Sequence, residues 1–117
     1  MTVIANIVIG VVAVLHLGFL VLEMFLWNKP VGRKIFNLTK EVAEASATLA
    51  ANQGLYNGFL AAGLIWGLIS DDFSVNLFFL GCVLIAGIFG GFTAKRSILY
   101  IQALPALFGL ILLYLSR

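Results

Sequence analysis

Charge is scarce in this sequence: Asp, Glu, Lys and Arg make up 10% of 117 residues, against 62% hydrophobic. A soluble domain carries about 25% charged residues. The deficit excludes a water-facing surface over most of the molecule and leaves a bilayer as the solvent, in keeping with a mean hydropathy of +1.12. The few charges sum to a formal +2 without forming a basic stripe, which excludes a nucleic-acid partner. Cysteine is down to Cys82 alone, so neither an intrachain disulfide nor a thiolate zinc site is expected. No phosphate-cradling loop, nucleophile–base pair or metal-ligand constellation is visible, so no cofactor and no metal are expected. A basic leader is missing too. The first apolar run exceeds the roughly 7–15 residues of a signal h-region and ends in Glu23-Met-Phe-Leu-Trp27, so it reads as a retained first helix.

What is present is a series of long apolar runs. Val3 to Leu22 carries no formal charge and is long enough to cross the hydrocarbon core. Trp27 follows as an interface anchor, and Pro30 disfavours helix at the residue before it. Residues 28–49 form the main polar segment, in which Thr39 is a candidate N-cap for a helix opening at Lys40. Asp71-Asp72 and Lys95-Arg96 mark two further loops, and Pro105 predicts a kink in the last run. The expected fold is therefore all-α: a single domain over 1–117, an integral membrane four-helix bundle with helices near 3–27, 40–70, 73–94 and 97–116. The first loop holds Lys29, Arg33, Lys34 and Lys40, the third holds Lys95 and Arg96, and the second has no cation. The positive-inside rule then expects both termini outside the cytoplasmic membrane. Arg117 dissents and is outweighed by the loops.

The central stretch is Ala50 to Gly63, where the polar segment becomes a membrane helix. Asn52 and Tyr56 lie one turn apart, as do Gln53 and Asn57. Ala47, Ala51, Gly54, Gly58 and Ala62 run beside them, a strip of small residues suited to helix packing or self-association in lipid. The expected topology puts Glu23, Gln53, Asn57 and Gln102 at one depth, in the cytoplasmic leaflet, with Trp27 on the Glu23 face. His16 shares that face roughly 10 Å deeper, seven residues earlier on the helix. Ionisable residues within a membrane are costly and face the protein interior. We therefore expect a polar pocket lined by Glu23, Gln53, Asn57, Gln102, Tyr56 and Trp27 with His16 at its floor, and Glu23 and His16 as the candidates for acid/base chemistry. Plainer roles stand beside this one: Glu23 reaching out to the headgroups, and His16 and the carboxamides serving as interhelical glue.

Glu23-Met-Phe-Leu-Trp27 and Ala51-Asn-Gln-Gly-Leu-Tyr-Asn-Gly-Phe-Leu-Ala-Ala-Gly63 carry a resemblance. So do His16, Gly32-Arg-Lys34, Ala86-Gly87 and Gln102-Ala-Leu-Pro-Ala106. Over essentially its whole length the chain resembles the small bacterial membrane proteins grouped as domain of unknown function 1304. The resemblance implies four transmembrane helices in a bacterial inner membrane and brings no activity with it. The expected partners are membrane lipid and a lipid-like or small amphiphilic molecule, bound or chemically modified in the pocket. Two other readings stay open: a proton-coupled small transporter and a structural or regulatory subunit of a membrane complex. Against the transporter, the glutamate lies near a helix end and the loop charge bias is strong. A membrane glutathione-transferase relative ranks last, since only Arg33 and Arg96 could meet glutathione.

Overall fold

The two prolines, the acidic pair and the polar segment divide the chain into helices, and the computed structural model, which describes residues 2–116, is all-α with no strand among those residues. Its elements are α1 (Val3–Met24), α2 (Pro30–Phe36), α3 (Lys40–Ser70), α4 (Phe73–Thr93) and α5 (Leu104–Leu115), the last entered through a π-helical turn at Leu99–Ala103. Arg117, which enters the orientation argument, lies outside the described residues. Among the described residues, α1 and α4 are long and apolar enough to cross a membrane, and Leu99–Leu115 is a shorter apolar helix. α3 is longer still, at 31 residues, but opens on Lys40, Glu41 and Glu44 and carries Asn52, Gln53 and Asn57. The helices fall into two compact units, Met1–Val14 with Leu60–Arg117 and Leu15–Phe59.

In the first unit Ile9, Val12, Ala13, Leu64, Leu80, Val83, Ala106 and Leu113 form one buried cluster. The α3–α4 turn is built by the acidic pair. Asp71 takes the left-handed conformation at φ 50°, which Asp tolerates better than most residues. Asp72 caps α4, its carboxyl accepting from Ser74 N at 2.9 Å and Val75 N at 3.2 Å. Asn76, fully buried, lies where a Cβ on Gly67 would stand. α4 and the π turn meet at Gly87, where an added Cβ would lie 2.6 Å from the backbone N of Ala103. The sequence reads 97–116 as one kinked helix. In place of a simple kink, Leu104 N–H donates to the carbonyl of Leu99, five residues back. The reason is Pro105, which lacks an N–H and whose ring would strike the carbonyl four residues earlier. A wider turn just before it removes that clash. Two shallow apolar surface grooves belong to this unit. One, of about 460 Å³, is lined by Val8, Val11, Tyr100, Leu104, Pro105 and Phe108. The other, of about 360 Å³, is lined by Ile85, Ile88, Phe89, Phe92 and Thr93.

The second unit holds the end of α1, α2 and the first turns of α3. α1 stops at Met24 instead of running to 27, and a turn closed by Lys29 N on Leu26 O (3.1 Å) leads into α2. The sequence predicts helix in the polar segment only from Lys40. Pro30, read as a stop, is also a start: its fixed φ and missing N–H suit the first turn of α2. Gly32 is essential to this corner, because a Cβ there would overlap the Leu26 carbonyl. α2 ends where Asn37 turns left-handed (φ 54°), letting Leu38 N donate to Arg33 O at 2.8 Å. Thr39 Oγ1 then accepts from Val42 N at 3.2 Å as α3 begins.

Candidate functional site

Two helices supply the site, and the seam between them is set by small residues. Along α3 the buried positions Ala43, Ala50, Gly54, Asn57, Ala61 and Leu64 fall on one row, spaced seven and then alternately four and three, with Gly63 and Gly67 buried beside and beyond it. Such a row keeps one face toward a partner helix. Within the second unit that partner is α1. A Cβ on Gly54 would lie 2.6 Å from Met24 Cγ, 3.1 Å from Glu23 Cβ and 3.2 Å from the Leu20 carbonyl, and one on Gly58 would lie 2.7 Å from Leu20 Cδ1. The glycines therefore let α1 and α3 approach closely enough for short polar side chains to meet.

Glu23 and Asn57 meet there. Asn57 Nδ2 donates to Glu23 Oε1 at 2.5 Å. Asn57 is 6% exposed and Glu23 is half-buried. A carboxyl can accept up to about four hydrogen bonds and a carboxamide can donate two and accept two, so this bond uses only part of the pair's capacity. Gln53, one turn before Asn57, is exposed, and so is Tyr56, whose ring stands 6.1 Å from that of Phe59. His16 is buried on α1, with its ring edge-on to Phe19 at 5.3 Å. Trp27 is held in the turn after α1: its indole stands 4.8 Å from Phe36 of α2, and its Nε1 donates to Ser46 Oγ at 3.0 Å. Ser46 Oγ in turn donates to the Val42 carbonyl. Gln102 is a member of the first unit, partly buried within the π turn. Glu23, Asn57, Gln53, Tyr56, His16 and Trp27 thus all belong to the second unit, and within it Glu23 and Asn57 meet in a direct hydrogen bond.

Ser46 is a residue that sequence reasoning passes over. No local pattern marks it: it stands eleven residues, about three turns, before Asn57, whereas Trp27 is four residues beyond Glu23 and outside α1, so their bond depends on how the turn after α1 folds back. Among the described residues there is no group of His, Cys, Asp and Glu that could hold a metal ion.

An all-α chain with apolar helices of membrane-spanning length and one polar pair on a small-residue seam defines a class of small helical proteins suited to a bilayer. The comparisons with known proteins narrow that class. Residues 10–114 match the family model described as protein of unknown function (DUF1304). The chain is also 30% identical over 115 residues to the uncharacterized protein YpaA of Lactococcus lactis subsp. lactis (strain IL1403), covering 95% of this chain and 97% of that one. No solved structure matches. The chain belongs to the DUF1304 family.

Proposed function

We propose that this protein crosses the membrane four times, with both termini outside, and holds the polar head of a lipid-like or small amphiphilic molecule at Glu23 and Asn57. The observation that carries this is the hydrogen bond from buried Asn57 to Glu23. A carboxyl and a carboxamide inside apolar helices cost free energy that a structural seam does not require, so such groups mark binding or transport sites by default. Small residues alone pack helices in lipid. Glu23 offers acceptors to a ligand hydroxyl or amine, and exposed Gln53 and Tyr56 stand one turn and one residue from Asn57, where an arriving head group would pass them. The four crossings are supported by the apolar lengths of α1, α4 and Leu99–Leu115 and by the apolar second half of α3. The orientation is supported by the cations of the first and third loops.

Native mass spectrometry tests the reading, with lipid extraction of whatever co-purifies with the wild type, Glu23→Gln and Asn57→Leu. A defined small molecule retained by the wild type and lost from Glu23→Gln is the expected result. Equal retention of bulk lipid alone by all three forms would overturn it and leave Glu23 as an interfacial anchor.

A further inference from the structure

The corner between α1 and α3 carries a second surface, independent of Glu23. From Met24 to Lys40 the sequence has four cations, Lys29, Arg33, Lys34 and Lys40, and no acidic residue. Lys29 and Lys34 are exposed. α2 is fixed in rotation by its inner face, where Gly32 abuts the Leu26 carbonyl and Phe36 stacks on Trp27. That leaves Val31 and Ile35, one turn apart, pointing outward at 47% and 51% exposure. Phe25, in the turn just before, is 63% exposed. In water these apolar side chains beside lysines would be an unexplained cost. At a bilayer surface they have a place: the apolar groups enter the boundary between headgroups and acyl chains, and the lysines meet the phosphates. Arg33 stands between the two lysines, half-buried, and adds a third cation to the same short segment; a guanidinium is a strong hydrogen-bond donor to phosphate oxygens.

We propose that α2 lies in the membrane surface as an anionic-phospholipid-binding element, seating Val31 and Ile35 in the interface while Lys29, Arg33 and Lys34 hold the phosphate of the lipid. Charge complementarity selects the occupant: four cations with no carboxylate between Glu23 and Glu41 favour an anionic headgroup over a zwitterionic one. α2 follows directly on α1, a helix of membrane-crossing length, so the chain delivers it to the interface.

The test uses the full chain in nanodiscs made of equal parts phosphatidylglycerol and phosphatidylcholine, with the lipid retained after release counted by native mass spectrometry. The wild type is expected to retain phosphatidylglycerol over phosphatidylcholine, and Lys29→Gln/Lys34→Gln is expected to reduce that preference roughly tenfold. Lys29→Arg/Lys34→Arg is expected to keep the preference, which separates charge from misfolding. Lys29→Gln/Lys34→Gln is expected to keep any defined molecule held at Glu23 and Asn57, and Lys95→Gln in the other unit to keep the lipid preference, so failure here and failure of the ligand reading are distinguishable. Equal retention of the two lipids by the wild type overturns the proposal, as does a preference that survives loss of both lysines. Displacement of the preference by millimolar glycerol phosphate would also overturn it, by showing a soluble-phosphate site in place of a membrane surface.

Discussion

Gly54→Ala puts the α1–α3 seam under direct test. The added methyl would stand 2.6 Å from Met24 Cγ, 3.1 Å from Glu23 Cβ and 3.2 Å from the Leu20 carbonyl oxygen. Met24 can swing its side chain away. Glu23 Cβ and the Leu20 carbonyl are tied to the α1 backbone, so relief there requires the helices to part by a few tenths of an ångström. Overpacking of this kind costs about 1–3 kcal/mol. Parting the helices also stretches the Asn57–Glu23 hydrogen bond, a further ~1 kcal/mol. Opposing these, alanine gains at most about 1 kcal/mol over glycine in a helix. The net expectation is a loss of ~1–3 kcal/mol, read as a lowered midpoint in equilibrium unfolding by dodecyl sulfate in mixed micelles, followed by circular dichroism. Gly18→Ala is the internal control. It lies on α1 in the same unit with nothing within 4 Å of an added Cβ, so only the propensity gain applies and stability should stay level or rise. If Gly54→Ala unfolds no earlier than Gly18→Ala, the close approach is wrong, and the polar contact that depends on it is wrong too.

The other predictions concern the same two units. Trp27→Phe removes the indole donor to Ser46, and a double-mutant cycle with Ser46→Ala should give a coupling of about 0.5–1.5 kcal/mol; additivity of the two single changes would show that the bond does not form. Asp72→Ala deletes the cap of α4 and should cost about 1 kcal/mol, while Asp72→Asn should cost little; equal losses in thermal melts would mean that charge, not capping, matters there. In a Cys82→Ala background, a membrane-impermeant maleimide should label Ser70→Cys in intact cells and spare Lys95→Cys until the membrane is permeabilised; the reverse pattern would invert the orientation. Glu23→Leu/Asn57→Leu replaces both polar partners by apolar ones and should remain as stable as the wild type, because removing a hydrogen-bonded pair together leaves no orphan. It should nonetheless retain no defined ligand in native mass spectrometry.

The helices were legible in the sequence wherever an apolar run met a recognisable boundary. The opening of α3 could be read from Thr39 before Lys40, and its end from Asp71-Asp72, because capping oxygens and left-handed tolerance are properties of single residues. α2 was not legible, because Pro30 both ends one helix and begins another, and the choice depends on whether the chain can turn within five residues. It can, because Gly32 admits the Leu26 carbonyl, a contact between backbones six residues apart that no local pattern announces. The π turn escaped for a related reason. Pro105 predicts disruption, but whether the chain kinks or widens depends on what approaches it, here Gly87 of α4.

The packing row of α3 shows where local reading runs out. The small residues suggest a strip through Ala47, Ala51, Gly54, Gly58 and Ala62, yet Ala62 is exposed and the buried row passes through Ala50, Gly54, Asn57 and Ala61. A helix surface holds several rows of small residues at once, and the neighbour's crossing angle decides which is used. The chosen row has a chemical consequence. It places a carboxamide, the bulkiest and most polar member of its row between Ala43 and Ala61, on the buried face opposite α1. A seam optimised for packing in lipid would put alanine or glycine at that position, as it does one turn before and one turn after. Asn57 is thus a departure from the pattern of its own helix, and α1 answers it with a second departure, Glu23, at the matching height. Two rule-breaking residues that meet on this seam are the ground on which a ligand at Glu23 and Asn57 is proposed.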